Sequence, residues 1–286
     1  MTEIPTVDLG GGVTMPMVGF GTWQLGGRRA YDAVRYALEV GYRHLDTATM
    51  YRNEREVGQA LRDSGLDRGE VFVTTKLQPG NAGRARATLA ESLRALGTSY
   101  VDLWLIHWPP RRPASVPLWR EFLAVSDEGQ CHSVGVSNYG IAQIDELVAS
   151  TGQHPAVNQI PWSPSRYDPA LLAAHADRGI AVEGYSPLKG TRLRDPVLAE
   201  IAARHQVTPA QVVLRWHLEH GITVIPKSAH PDRIKSNFDL FTFSLTPEEV
   251  TRLDRLEPGS ASAPAPASRP PAPRCSIAPR RHKLWG

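Results

Sequence analysis

Cysteine is nearly absent. Only Cys131 and Cys275 occur in 286 residues. They lie far apart and form no C-x-x-C pair, which argues against a disulfide framework or a zinc site and fits a reducing cytosol. Long apolar runs are missing too: nothing approaches the roughly 20 residues needed to span a bilayer, so no membrane partner is expected. The start, "MTEIPTVDLGGG", lacks a basic stretch followed by an apolar one, so no secretory leader is expected. There is no strong excess of one charge. The net charge is +3, and five basic residues against one acid from Glu257 to Gly286 leave the rest at −1. A nearly neutral body with a basic tail does not suit nucleic-acid binding. The histidines are scattered without ligand spacing, so no metal is expected. The serine-hydrolase signature G-x-S-x-G does not occur.

What is present is a hydrophobic content of 41% with 21% charged residues, enough for a sizeable core. "PTVDL" and "VTMPMV" flank a glycine turn and predict an N-terminal hairpin. Short apolar strands then alternate with helical patterns. The strands are "MVGFG" near Met17, 43–46, 71–76, 101–107, 133–138, 156–159, 180–186 and 222–228. Several of the helical stretches end in glycine, a common stop. This alternation predicts an α/β chain folded as a (β/α)8 TIM barrel. The alternative is a doubly wound open sheet, weakened by the lack of G-x-G-x-x-G after the first strand. "DPVLAEIAARHQ" and "TPAQVVLRWHLEHG" both fall between the seventh and eighth strands, so the first is an insertion; "LTPEEVTRLDRLEPG" adds a further helix. The barrel with its two extra helices is expected over residues 1–256. The Pro/Ala/Arg-rich 257–286 is expected to be a disordered tail.

In a parallel barrel the active site lies at the carboxyl ends of the strands. Asp46 ends the second strand, Tyr51 follows in its loop, Lys76 ends the third and His107 the fourth. Singly, each has a dull reading: a helix cap, a packed ring, a solvated lysine, a core histidine. Together they converge on one mouth. A phenol titrates near 10, and the Lys76 ammonium would favour its ionised form. Asp46 would hold the lysine, and His107 would orient a substrate oxygen. The set suits proton transfer to a carbonyl oxygen as hydride reaches its carbon.

The chain resembles the aldo-keto reductase superfamily, most of all its bacterial diketogluconate reductase branch, from "VGFGTWQ" to about Leu256. The motifs that carry this are "GYRHLDTATMYRNEREVGQAL", "VTTKL", "SLRALGTSYVDLWLIHWP", "VGVSNY", "NQI", "GYSPL" and "IPKS" with Arg233 and Asn237. The resemblance implies NADPH-dependent reduction of an aldehyde or ketone in the cytoplasm by a monomer. The catalytic tetrad would be Asp46, Tyr51, Lys76 and His107, with Tyr51 as proton donor. Ser137, Asn138 and Gln159 would hold the carboxamide, and Trp162 would stack on the nicotinamide in place of the usual tyrosine. Gly21, Thr22 and Trp23 would meet cofactor and substrate. Tyr185, Ser186 and Leu188 would line the pyrophosphate channel. Lys227 and Ser228 would bind the 2′-phosphate, and Arg233 would stack on adenine and pair with that phosphate. Asn237 would anchor adenine, although Ser236 stands where the family often has Glu. Trp23 and Trp108 would line a pocket for uncharged or weakly polar carbonyls. Some members of the superfamily serve instead as binding subunits of channels, and a degenerate barrel kept for structure is a third reading; a turnover assay separates these from an enzyme.

Overall fold

The computed structural model describes residues 4–110 and 115–257. The tail expected at 257–286 therefore lies outside the described residues except for Glu257. Two short strands, β1 (Thr6–Asp8) and β2 (Thr14–Pro16), form the hairpin. Its turn holds Gly10, Gly11 and Gly12 at φ of 83°, 61° and 80°, a region that side chains disfavour.

Eight parallel strands follow: β3 (Phe20–Gly21), β4 (His44–Asp46), β5 (Phe72–Leu77), β6 (Val101–Ile106), β7 (Cys131–Ser137), β8 (Val157–Pro161), β9 (Ala181–Tyr185) and β10 (Thr223–Val224). They pair in chain order. A parallel bridge between Val18 and Val224 closes the circle, with Gly19 N donating to Val224 O at 2.9 Å and Gly21 N to Pro226 O at 3.1 Å. The last strand is shorter than the sequence suggests; Pro226 has no N–H to extend its ladder.

The helices of the outer ring are α1 (Gly27–Val40), α2 (Glu54–Arg62), α3 (Ala85–Leu96), α4 (Ser115–Asp127), α5 (Ile141–Thr151), α6 (Pro169–Ala176), α8 (Pro209–Glu219) and α9 (Pro231–Phe238). The two extra helices are α7 (Pro196–His205), inserted before α8, and α10 (Pro247–Asp254). The face that α1 buries is spaced for a helix: Ala30, Ala33, Val34, Ala37 and Leu38. Proline opens α8 beside a reciprocal cap between Thr208 and Gln211.

Strand alternation sorts the side chains into two cores. Leu45, Val73, Trp104 and Ile106 point outward into the helix-facing core. Leu103, Leu105 and Val157 point inward, where Met15 of the hairpin packs against them and plugs the amino end. Toward the carboxyl end the interior becomes polar: His44, Asp46, Thr74, Lys76, Gln159 and Glu183 are all buried. Buried polar groups persist only where they are paired.

Candidate active site

Lys76 is the centre of this polar interior. Its Nζ donates to Asp46 Oδ1 at 2.7 Å, Asp46 Oδ2 at 2.6 Å and the Thr47 carbonyl at 2.8 Å. The Tyr51 hydroxyl lies 3.5 Å from the same nitrogen. Tyr51 ends a single 3-10 turn, Thr49–Tyr51. That turn is tied to β5 because Thr49 Oγ1 donates to the Lys76 carbonyl at 2.9 Å. Asn53 fixes the loop from behind: it accepts from Thr47 Oγ1 at 2.7 Å and donates to the carbonyls of Thr22 and Leu25. Sequence reasoning missed Asn53, since an Asn before a helix reads as a cap; here its side chain makes no cap bond.

The electrostatics differ from the simple expectation. Burial pushes the Tyr51 phenol up, and Lys76 pulls it down less strongly, so the net direction is upward. The reason is geometric. The lysine charge is already engaged by Asp46, and its approach to the phenol is long. For Lys76 itself burial is the largest influence and opposes the charge, but Asp46, Tyr51 and Glu183 together outweigh it and the ammonium is held above its usual value. Burial and the nearby lysine lower His107 to about 3, so its ring is neutral at physiological pH. Its Nδ1 is buried with no partner among the described residues.

These groups open onto a cavity of about 710 Å³. Gly21, Trp23, Asp46, Tyr51, His107 and Trp108 line it, as do Ser137, Asn138, Gln159, Tyr185, Ser186, Leu188 and Lys227. The Tyr51 ring lies between Trp23, centroids 4.9 Å apart, and His107, 5.7 Å apart. Trp23, Met50 and Trp108 form an exposed apolar rim. Gly21 is needed as glycine, because a Cβ there would stand 2.9 Å from the Ile225 carbonyl oxygen. Among the described residues five non-glycines have positive φ, and three of them, Gln24, Asn138 and Ser186, line this cavity. Such backbone strain gathers at functional sites. Gln24, Met50, Pro187, Lys189, Ile225 and Pro226 also line it without having been singled out in the sequence; they are loop residues whose types carry no specific chemistry.

Ser137, Asn138 and Gln159 form one network. Ser137 Oγ donates to the Gln159 carbonyl at 2.8 Å, and Asn138 Nδ2 donates to Ser137 Oγ at 2.9 Å and to the His107 carbonyl at 3.1 Å. The Tyr185 hydroxyl donates to Asn138 Oδ1 at 2.8 Å. Gln159 Nε2 donates to Asp46 Oδ2 and to Glu183 Oε2, both at 2.8 Å. The amide hydrogens are thus engaged within the protein, and oxygen lone pairs remain for the cavity. An acceptor-rich wall fits the N–H₂ of a carboxamide.

Other expected residues stand elsewhere. Thr22 is buried under the loop, donating to the Asp46 carbonyl at 2.9 Å. Ser228 is buried and accepts from His230 N at 3.0 Å. Arg233 and Asn237 lie on α9, the first exposed and the second buried. Trp162 does not line the cavity around Tyr51. It is 1% exposed, packs with Val182, Leu198 and Trp216, and borders a neighbouring cavity of about 720 Å³. The aromatic side chain that lines that cavity on this side is Tyr185, which ends β9 beside Asn138. Trp162 follows directly on β8, where it turns away from the mouth into the α7–α8 core.

Residues 17–258 match the model of the aldo/keto reductase family, and the chain belongs to that family. A methylglyoxal reductase DkgA from Yersinia pestis is 41% identical over 93% of this chain and 98% of its own. An aldo/keto reductase from Brucella melitensis superposes with a TM-score of 0.85 at 42% identity, over 88% of this chain and 99% of its own. An aldo-keto reductase from Bombyx mori, solved with NADP, gives 0.83 at 34% identity, over 89% and 93%. The protein is an NADP(H)-dependent oxidoreductase that reduces carbonyl compounds.

Proposed function

We propose that Tyr51 delivers the proton in this reduction, with Lys76, Asp46 and His107 as its supporting groups. The observation that carries this reading is the buried Lys76–Asp46 pair placed 3.5 Å from the one phenol that lines the cavity beside both Lys76 and His107. The reduced nicotinamide, when bound, supplies the hydride. His107, neutral, donates a hydrogen bond to the substrate oxygen and fixes it near the phenol. The raised Tyr51 value keeps a proton on the phenol at neutral pH, which an acid requires. Lys76 stabilises the phenolate once that proton has left, and Asp46 holds Lys76 in place.

Ser137, Asn138 and Gln159 hold the carboxamide through their oxygens, and the ring of Tyr185 stacks on the nicotinamide. Gly21, Ser186, Leu188 and Lys227 lie along the path of the pyrophosphate. Lys227, Ser228 and Arg233 hold the 2′-phosphate. The guanidinium of Arg233 and the ammonium of Lys227 are exposed and in no ion pair with a described residue. The apolar rim of Trp23, Met50 and Trp108 favours small, uncharged aldehydes and ketones. Methylglyoxal, named for the Yersinia relative, belongs to that class. The catalytic unit is the barrel, 1–256, acting as a monomer in the cytoplasm. The cavity lies at the strand ends of this one barrel, and among the described residues no helix is long and apolar enough to cross a membrane.

The test is NADPH oxidation with methylglyoxal and with aromatic aldehydes. Wild type should turn over both, and Tyr51→Phe should fold and bind NADPH but lose about 10²–10⁴-fold in kcat. Retention of a tenth of the wild-type kcat would remove Tyr51 as the donor.

A further inference from the structure

Glu183, on β9, is fully buried, yet no step above uses it. Its Oε2 accepts from Gln159 Nε2 at 2.8 Å. The other hydrogen of that same amide goes to Asp46 Oδ2, also at 2.8 Å. One side-chain amide therefore joins Glu183 to the catalytic carboxylate. The second oxygen, Oε1, takes no hydrogen bond from any described residue. It lies 3.6 Å from His44 Nε2. The other ring nitrogen of His44, Nδ1, lies 3.2 Å from the Pro16 carbonyl. A hydrogen on Nδ1 serves that carbonyl and leaves Nε2 to accept from the Thr74 hydroxyl, 3.1 Å away, so no ring hydrogen faces Oε1.

An ionised carboxylate would be badly served here. One oxygen would have no donor among the described residues, and Asp46 would stand as a like charge on the far side of Gln159. A protonated carboxyl suits the place better: its C=O accepts from Gln159, and no charge is left on the oxygen that lacks a donor. The groups around it are Gln159 on β8, Thr223 beside it on β10, His44 and Asp46 on β4, and Lys76 on β5. His217 of α8 lies against the next residue, Gly184. Of these only Lys76 favours the charged form by its own charge, and Asp46 already engages it. Burial, followed by Asp46, raises Glu183 to about 8, while burial lowers His44 to about 4 and keeps it neutral.

We propose that Glu183 is a positioning residue that acts on the catalytic phenol: as the neutral acid it leaves Asp46 the single carboxylate charge beside Lys76, and as the carboxylate it opposes loss of the Tyr51 proton. The inference rests on the reading of Tyr51 as proton donor. Its consequence is directional. Carbonyl reduction needs the protonated phenol, whereas alcohol oxidation needs the phenolate. An ionised Glu183 adds negative charge near Tyr51 and holds the proton there. Above about pH 8 the residue thus favours reduction over the reverse reaction.

The experiment reads Tyr51 directly. Tyrosinate absorbance is titrated in the protein and in Tyr51→Phe, and the difference gives the midpoint of this phenol. The same pair is repeated with Glu183→Gln, and again with Glu183→Met. Both replacements remove the charge, so the Tyr51 midpoint should fall by about one pH unit. An unchanged or higher midpoint in both would overturn the proposal. The unaltered protein offers a second arm. An infrared band of a protonated carboxyl should be lost as pH rises through about 8, and the lack of any such band at pH 7 would also overturn it. Turnover of Tyr51→Phe is read separately. Full carbonyl reduction by that variant would defeat the donor assignment whatever the midpoint does.

Discussion

The Lys76 ammonium closes on both oxygens of Asp46, at 2.7 and 2.6 Å, with both side chains out of solvent. A buried pair of this kind is poor evidence for added stability, but breaking it leaves an unpaired buried charge. Lys76→Met should therefore destabilise the fold by about 3–5 kcal/mol and abolish carbonyl reduction. The double variant Asp46→Asn with Lys76→Met should recover most of the stability and none of the activity. Urea unfolding alongside turnover separates the two effects; a double variant no more stable than the single one would show that the charge is not the cause.

Cofactor preference should follow the exposed cations near α9. Charge-assisted bonds to a phosphate are the strong ones. Arg233→Ala should weaken NADPH binding about tenfold and leave NADH nearly untouched, with the wild-type preference shrinking as salt screens the site. Titration by fluorescence quenching reads both. Equal wild-type affinities for NADPH and NADH would exclude a phosphate role for Lys227, Ser228 and Arg233.

Two aromatic residues should separate cleanly. Tyr185→Ala removes a ring from the cavity wall and should weaken nicotinamide binding by about 2–10-fold. Trp162→Ala empties a core site and should cost about 3–5 kcal/mol of stability without a matching change in cofactor affinity per folded molecule. The opposite pattern would return the stacking role to Trp162.

Acid should weaken the fold through buried neutral histidines. Burial holds His44 and His217 at about 4, whereas an unfolded imidazole titrates near 6.5. Between those values the unfolded chain binds the protons and the folded one does not. Stability is therefore full above about 6.5 and falls as pH drops toward 4, by about 2 kcal/mol for each histidine between pH 7 and pH 5. Glu183, raised to about 8, binds its proton in the fold and works the other way, so denaturant midpoints at the two pH values are read in Glu183→Gln; a flat response there would show that one or both rings are protonated in the fold.

Much of this was legible in the sequence for a physical reason. A strand-end position fixes where a side chain emerges, so Asp46, Lys76 and His107 could be brought to one mouth without coordinates. Tyr51 came with them because its loop is short. The hairpin declared itself through its glycines, and α7 through a proline start and an interval too long for one helix. Trp162 was not legible, because one residue past the end of a strand the alternation no longer says which way a ring turns. Glu183 was not either: inside "AVEGYS" it reads as the polar member of an alternating strand, and only barrel closure turns that position into the interior. The upward net direction at Tyr51 depends on how deeply the phenol is buried, which spacing does not encode.

The seam where Met17–Gly21 meets Val224–Pro226 has a consequence for how the chain acquires its shape during synthesis. Its two sides are about 200 residues apart, a long-range pairing of the kind that slows folding. Until β10 has left the ribosome, β3 and β9 are bare sheet edges, and Lys76 and Asp46 sit in an unclosed ring open to water. A growing chain should therefore hold its helices and hairpin early but protect the amides of Gly19 and Gly21 only at the end. Nascent chains that stop short of residue 224 would present those edges to one another, which makes them the aggregation-prone form of this protein.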